Sequence, residues 1–184
     1  KALLAAIERG DHPPLRPGDA IAANDPYAGG THLPDITVIS PVFAPELPAA
    51  AASFEVSAPL AYVACRGHHA DVGGITPGSM PPFSRSIAEE GLRLCNVPLI
   101  QAGRFDREAW LARLAAGDHP VRDPERLLAD LQAQVAANRL GAEALRRLIA
   151  MEGATAVAAA MAAVQRNAAE AVRCLIDQIG RAHV

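Results

Sequence analysis

Proline and glycine punctuate this chain densely from residue 13 to about residue 100 and then thin out, and that break constrains the fold more than any single motif. Ahead of it, the short β-type runs "DAIAAN", "ITVISPVF" and "SFEVSAPLAYVAC" lie between turns. Beyond about residue 106, apolar residues recur at helical spacing. Leu127, Leu131, Val135, Leu145 and Ile149 form one such series, and Pro124 suits its first turn. Val157, Met161, Val164, Ala168, Val172, Leu175 and Ile179 form a second. Gly153 separates the two, which predicts an antiparallel helical pair with both stripes packed into a core. The expected class is α+β: a turn-rich, mostly β region over 1–105, then a helical hairpin or bundle over 106–184. The alanine- and proline-rich run "APELPAAAASFEVSAP" reads as a surface excursion between strands.

Composition removes several function classes. A net charge of −3 leaves no electrostatic footprint for nucleic acid or an anionic membrane. Lys1 is the only lysine, so neither a P-loop lysine nor a Schiff-base lysine is available. Cys65, Cys95 and Cys174 are odd in number and far apart, which argues against a disulfide framework and for a reducing cytoplasm. Every apolar stretch is interrupted before it reaches the length of a membrane span. The opening "KALLAAIERGD" is amphipathic and lacks the order of a signal peptide, so the chain is read as a piece of a longer protein.

Two turns concentrate groups that are awkward to bury. The first, "NDPYAGGTHLPDITV", holds Asn24, Asp25, His32 and Asp35. A histidine and an aspartate three residues apart share one ligand if the backbone turns between them, and Pro34 fixes part of that turn. Gly29 and Gly30 permit positive φ or close backbone approach. The second, "RGHHADVGGITPGS", holds His68, His69 and Asp71 and closes on Gly73 and Gly74. If "ITVISPVF" pairs with "AYVAC", the adjoining loops lie together. Two histidines with carboxylates then make a set that zinc, manganese or iron accepts. Asp25, His69 and Asp71 are the candidates for orienting the ligands or acting as acid or base, and Asn24 is equally an Asx-turn residue. For either turn alone, a cap or a backbone partner remains the alternative.

The other conspicuous side chains are read as structural. His12, His119 and His183 belong to the surface, and Trp110 in "DREAWLARLAAGD" is a packing anchor. Ser79 and Ser84 lack the G-x-S-x-G context of a nucleophile, and Cys95 lies in an apolar run.

"GDAIAANDPYAGGTHLPDITVISPVF", "RGHHADVGGITPGSMPP", "EEGLRLCNVPLI" and "LQAQVAANRLGAEALRRLI", in that order, resemble the signature blocks of the hydantoinase B/oxoprolinase family. The resemblance runs from about Pro17 to near Ile176. It implies the amino-terminal part of a longer hydantoinase B-type chain, acting in ATP-dependent opening of cyclic amides such as 5-oxoproline or hydantoins. It also implies a hetero-oligomer in which a hydantoinase A-type subunit or domain, rather than this chain, binds ATP. Carried over by position, a divalent metal (Zn, Mn or Fe) would sit on His32, Asp35 and His68, with Asp71 or His69 managing the proton. Ketone carboxylation by a related subunit is one alternative, and a noncatalytic module with a structural metal is another. The link from Phe43 to Tyr62 is longer than the short hairpin usual in relatives.

Overall fold

A computed structural model describes residues 1–44 and 58–182. Most of the alanine- and proline-rich excursion, and His183, lie outside the described residues. The class is α+β: a small antiparallel sheet of four strands with long helices toward the carboxyl end. The elements run α1 (Ala2–Glu8), β1 (Ala20–Ala23), β2 (Asp35–Val42), β3 (Ala61–His68), α2 (Ile87–Glu90), β4 (Val97–Ile100), α3 (Arg107–Leu114), α4 (Pro124–Glu152) and α5 (Ala154–Ala182). The strand order is β3-β2-β1-β4, and the anticipated pairing of β2 with β3 is present, antiparallel along all eight residues of each.

Side chains alternate across a strand, so each strand serves two faces. Ile36 and Val38 of β2, with Ala20 and Ala22 of β1, turn to one face and pack with Trp110 and Leu114 of α3 and Leu127, Leu128, Leu131 and Val135 of α4. Trp110 is therefore the packing anchor its spacing implies, and its indole Nε1 donates to the Pro98 carbonyl. The opposite face carries Ile21, which clusters with Leu3 and Leu15 and with the half-buried Ile39 and Tyr62. Apolar cover on that face comes from α1 at one end; the other end, where Asp35 and His68 lie, is left more open.

α4 begins where the sequence directs. The Asp123 carboxylate accepts from the Arg126 N–H, Pro124 takes the first helical position, and Glu125 lies near the positive end of the helix dipole. Two polar residues interrupt its buried stripe. Gln134 Nε2 donates to the carbonyls of Ile36 and Cys65, and Asn138 Nδ2 donates to the carbonyl of Val38. Buried amides survive there because each has backbone partners.

Two expectations need adjustment. β4 is an additional strand; it is four residues long and contains Pro98, which an edge strand tolerates. The second apolar series is helical as its spacing predicts, but burial along it is confined to Val157. Val164, Val172, Leu175 and Ile179 are exposed. Periodicity reports helix, whereas burial needs a covering surface, which spacing cannot supply. The chain divides into two compact units, Lys1–Ala142 and Glu143–Val184. No single helix among the described residues is long and apolar enough to cross a membrane.

Candidate metal centre

Local geometry assembles the centre from one rung and one turn. In the register of β2 with β3, Asp35 faces His68, and these residues begin one strand and end the other. Directly opposed residues of an antiparallel pair hold their side chains about 4.5–5.5 Å apart at Cβ. The His32 carbonyl accepts from the Asp35 N–H at 3.0 Å, closing a turn around Pro34 that brings the third side chain to the same point. His69 N–H, donating to the Pro34 carbonyl at 2.9 Å, fastens that turn to the end of β3.

One ligand atom each from His32, Asp35 and His68 falls within 4.8 Å of the others. Asp35 bridges the rings: its Oδ2 lies 3.1 Å from His32 Nδ1 and its Oδ1 lies 3.0 Å from His68 Nδ1. The Thr31 hydroxyl donates to Asp35 Oδ2. That bond, then the His68 ring and the charges of both imidazoles, holds the Asp35 carboxyl below the usual carboxylate range, against the opposing effect of burial. Two imidazole nitrogens and an ionised oxygen around one partly exposed point suit a borderline divalent ion. Three protein ligands leave a position for water or substrate, unlike a closed structural zinc site with four.

The glycines of the first turn divide the two duties expected of them. Gly29 adopts φ +94°, whereas a Cβ on Gly30 would stand 2.3 Å from the Asn24 carbonyl oxygen. Asp25 makes the Asx turn, accepting from the Tyr27 N–H at 2.9 Å. Asn24 does something else. Its side chain, 1% exposed, donates to the carbonyls of Leu33 and Leu92 and accepts from the Leu94 N–H, binding the His32 turn to a segment some seventy residues away.

The remaining predicted site residues are not brought to the triad. His69 is the residue after the end of β3 and is buried, 3% exposed, with its Nε2 3.1 Å from Gln134 Oε1. The Gln134 amide nitrogen is already donating to two carbonyls, so its oxygen accepts and His69 carries its proton on Nε2. Asp71 is held by Arg122, whose Nη1 donates to Oδ1 at 2.6 Å and whose backbone N–H donates to Oδ2 at 2.8 Å. Gly73 and Gly74, both at φ +88°, bring that loop against the carbonyls of His119 and Glu90. Ser79 is buried beneath it, bonded to Val72 N–H and the Gly73 carbonyl, and is structural. These contacts tie the pair expected from sequence to handle the proton, Asp71 and His69, to Arg122 and Gln134. Arg122 and Gln134 lie 51 and 65 residues from them, so no local spacing announces the pairing.

Burial lowers the His69 pKa from 6.5, against the opposing pull of Gln134 and Asp130. The folded chain therefore resists a proton that the unfolded chain accepts. This contribution to stability is complete above about pH 6.5 and is lost as pH falls through the lowered folded value. Urea midpoints at pH 7.5 and 5.5 are expected to differ more for the unaltered protein than for His69→Leu. Equal slopes would show that the burial of His69 is not felt in stability.

The chain is α+β, with His32, Asp35 and His68 clustered at one end of its sheet so that their ligand atoms could hold a metal ion. The family profile for hydantoinase B/oxoprolinase matches residues 1–184, and the chain belongs to that family. It is 42% identical over 176 residues to 5-oxoprolinase 1 of Arabidopsis thaliana, covering 90% of this chain and 13% of that protein. The chain thus spans about an eighth of that relative's length. Among solved structures it is similar to the ATP-dependent caprolactamase of Pseudomonas jessenii, with a TM-score of 0.69 and 26% identity over 95% of this chain and 27% of the other. The fold also matches a nucleotide-free acetone carboxylase, with a TM-score of 0.66 and 21% identity over 83% of this chain and 18% of that one.

Proposed function

We propose that this chain carries the divalent-cation centre of an ATP-dependent cyclic amide hydrolase of 5-oxoproline or hydantoin type. The observation that carries the reading is the convergence of His32, Asp35 and His68 in a chain so similar to a 5-oxoprolinase. His32, Asp35 and His68 would hold zinc, manganese or iron, and the Thr31 hydroxyl would orient the carboxylate between the two rings. Such an ion, when bound, supplies Lewis acidity toward a carbonyl or phosphoryl oxygen. The His32 and His68 side chains are 36% and 54% exposed, so a substrate could reach that point from solvent. ATP is bound by a hydantoinase A-type partner in a hetero-oligomer; with one lysine, this chain has no P-loop of its own.

The test is ATP turnover by the native protein with its ATP-binding partner, supplied in turn with 5-oxoproline, hydantoin, and a ketone with bicarbonate. ADP release coupled to ring opening of a cyclic amide is expected. Turnover with the ketone and bicarbonate alone would establish the carboxylase alternative instead. A noncatalytic module would turn over none of them.

A further inference from the structure

A groove of about 460 Å³ runs along the open face of the sheet, and its charged lining residues are Lys1, Asp25 and Arg66. Arg66 faces Thr37 in the β2/β3 register, two residues from the rung that pairs Asp35 with His68 and on the same face. At a rise of 3.3–3.4 Å per residue the two rungs stand roughly 7 Å apart. The Arg66 guanidinium is held from two sides by neutral acceptors: Nε donates to Thr37 Oγ1 at 2.8 Å, and Nη2 donates to the Gly29 carbonyl at 3.2 Å. Among the described residues, the arginines in ion pairs with carboxylates are Arg9, Arg107, Arg122, Arg147 and Arg173, and Arg66 is not one of them. The groove's carboxylate, Asp25, is taken up by the Cys95 thiol at 3.1 Å and the Tyr27 N–H. Among the described residues the exposed Arg66 side chain thus has no carboxylate partner and three of its five N–H donors unused, with two bonds to neutral acceptors orienting its plane.

We propose that Arg66 is the residue that recognises a carboxylate on the substrate: a small cyclic amide bearing that group is held at Arg66, and its amide reaches past the groove's own lining to His32, Asp35 and His68, one side-chain repeat along the strand. The proposal rests on the cyclic-amide reading given above. Arg66 acts by binding: the guanidinium fork matches a carboxylate in plane and pays little rotamer entropy, because Thr37 and Gly29 hold it in place before the substrate arrives. A ring without the carboxylate lacks this contact.

Calorimetry on the native protein with its partner tests this with three probes: 5-oxoproline, the parent lactam without the carboxylate, and inorganic phosphate. Metal content is measured on the same samples. Arg66→Gln is expected to weaken 5-oxoproline about 10- to 100-fold, the scale of hydrogen bonds to a charged group. Binding of the parent lactam and the amount of bound metal are expected to be unchanged, and Arg66→Lys should recover part of the loss. Four results would overturn the assignment: equal loss for both lactams, loss of metal with Arg66→Gln, phosphate as the one probe that depends on Arg66, or no preference for the carboxylate in the unaltered protein. If the unaltered protein holds no metal yet discriminates the carboxylate through Arg66, the metal-centre reading fails and this one stands.

Discussion

Alanine at His32, Asp35 or His68 is expected to remove tight binding of a divalent ion, any one of the three sufficing. Each supplies a third of the protein ligands, and the two survivors cannot hold a borderline ion against water. Loss of a contact that merely supports a ligand typically costs about 10- to 100-fold in metal affinity. Loss of a ligand is expected to exceed that, taking the protein from about one bound ion to none under the same conditions. Thr31→Val, which leaves all three ligands but removes the hydroxyl that orients Asp35, belongs in the smaller class. His119→Ala is the control, since that histidine is exposed and away from the cluster. Equilibrium dialysis against zinc, manganese and iron(II), with elemental analysis, reads all of these. Unchanged binding in any of the three alanine variants would contradict the arrangement.

The second large effect is on stability. Asn24→Ala strips a buried side chain from three backbone groups, the carbonyls of Leu33 and Leu92 and the N–H of Leu94. A buried group left without a partner costs about 1–3 kcal/mol, so a loss of about 3–5 kcal/mol is expected, among the larger values seen for single substitutions. In a chain of this size that corresponds to a fall in Tm on the order of 10 °C. Asn24→Asp should fare no better: it keeps an acceptor for Leu94 N–H but sets a carboxylate against two carbonyl oxygens. Because Leu33 follows His32, the same variants should also weaken metal binding. Urea denaturation checks the first part, and a change under about 1 kcal/mol would mean that water or relaxed backbone replaces the amide.

What the sequence could convey follows from how far each signal reaches. Proline and glycine spacing and the two apolar series gave the α+β class, because turns and helices are set by neighbours a few residues away. The rung of Asp35 with His68 was within reach because "ITVISPVF" and "AYVAC" were recognisable strands whose ends carried the motif. Nothing local could reveal that Arg122 holds Asp71, that Gln134 takes His69, or that Asn24 spans to Leu92 and Leu94. Arg66 escaped notice for a related reason: its two neutral acceptors come from a neighbouring strand and a turn, so its spare donors emerge only once the sheet is assembled.

The most direct measurement is anomalous diffraction from the protein loaded with manganese or zinc. One ion bonded to His32, Asp35 and His68 at about 2.0–2.2 Å, with at least one remaining position filled by water, is what the geometry requires. An ion bound elsewhere, a fourth protein ligand closing the shell, or no ion at saturating metal would contradict it.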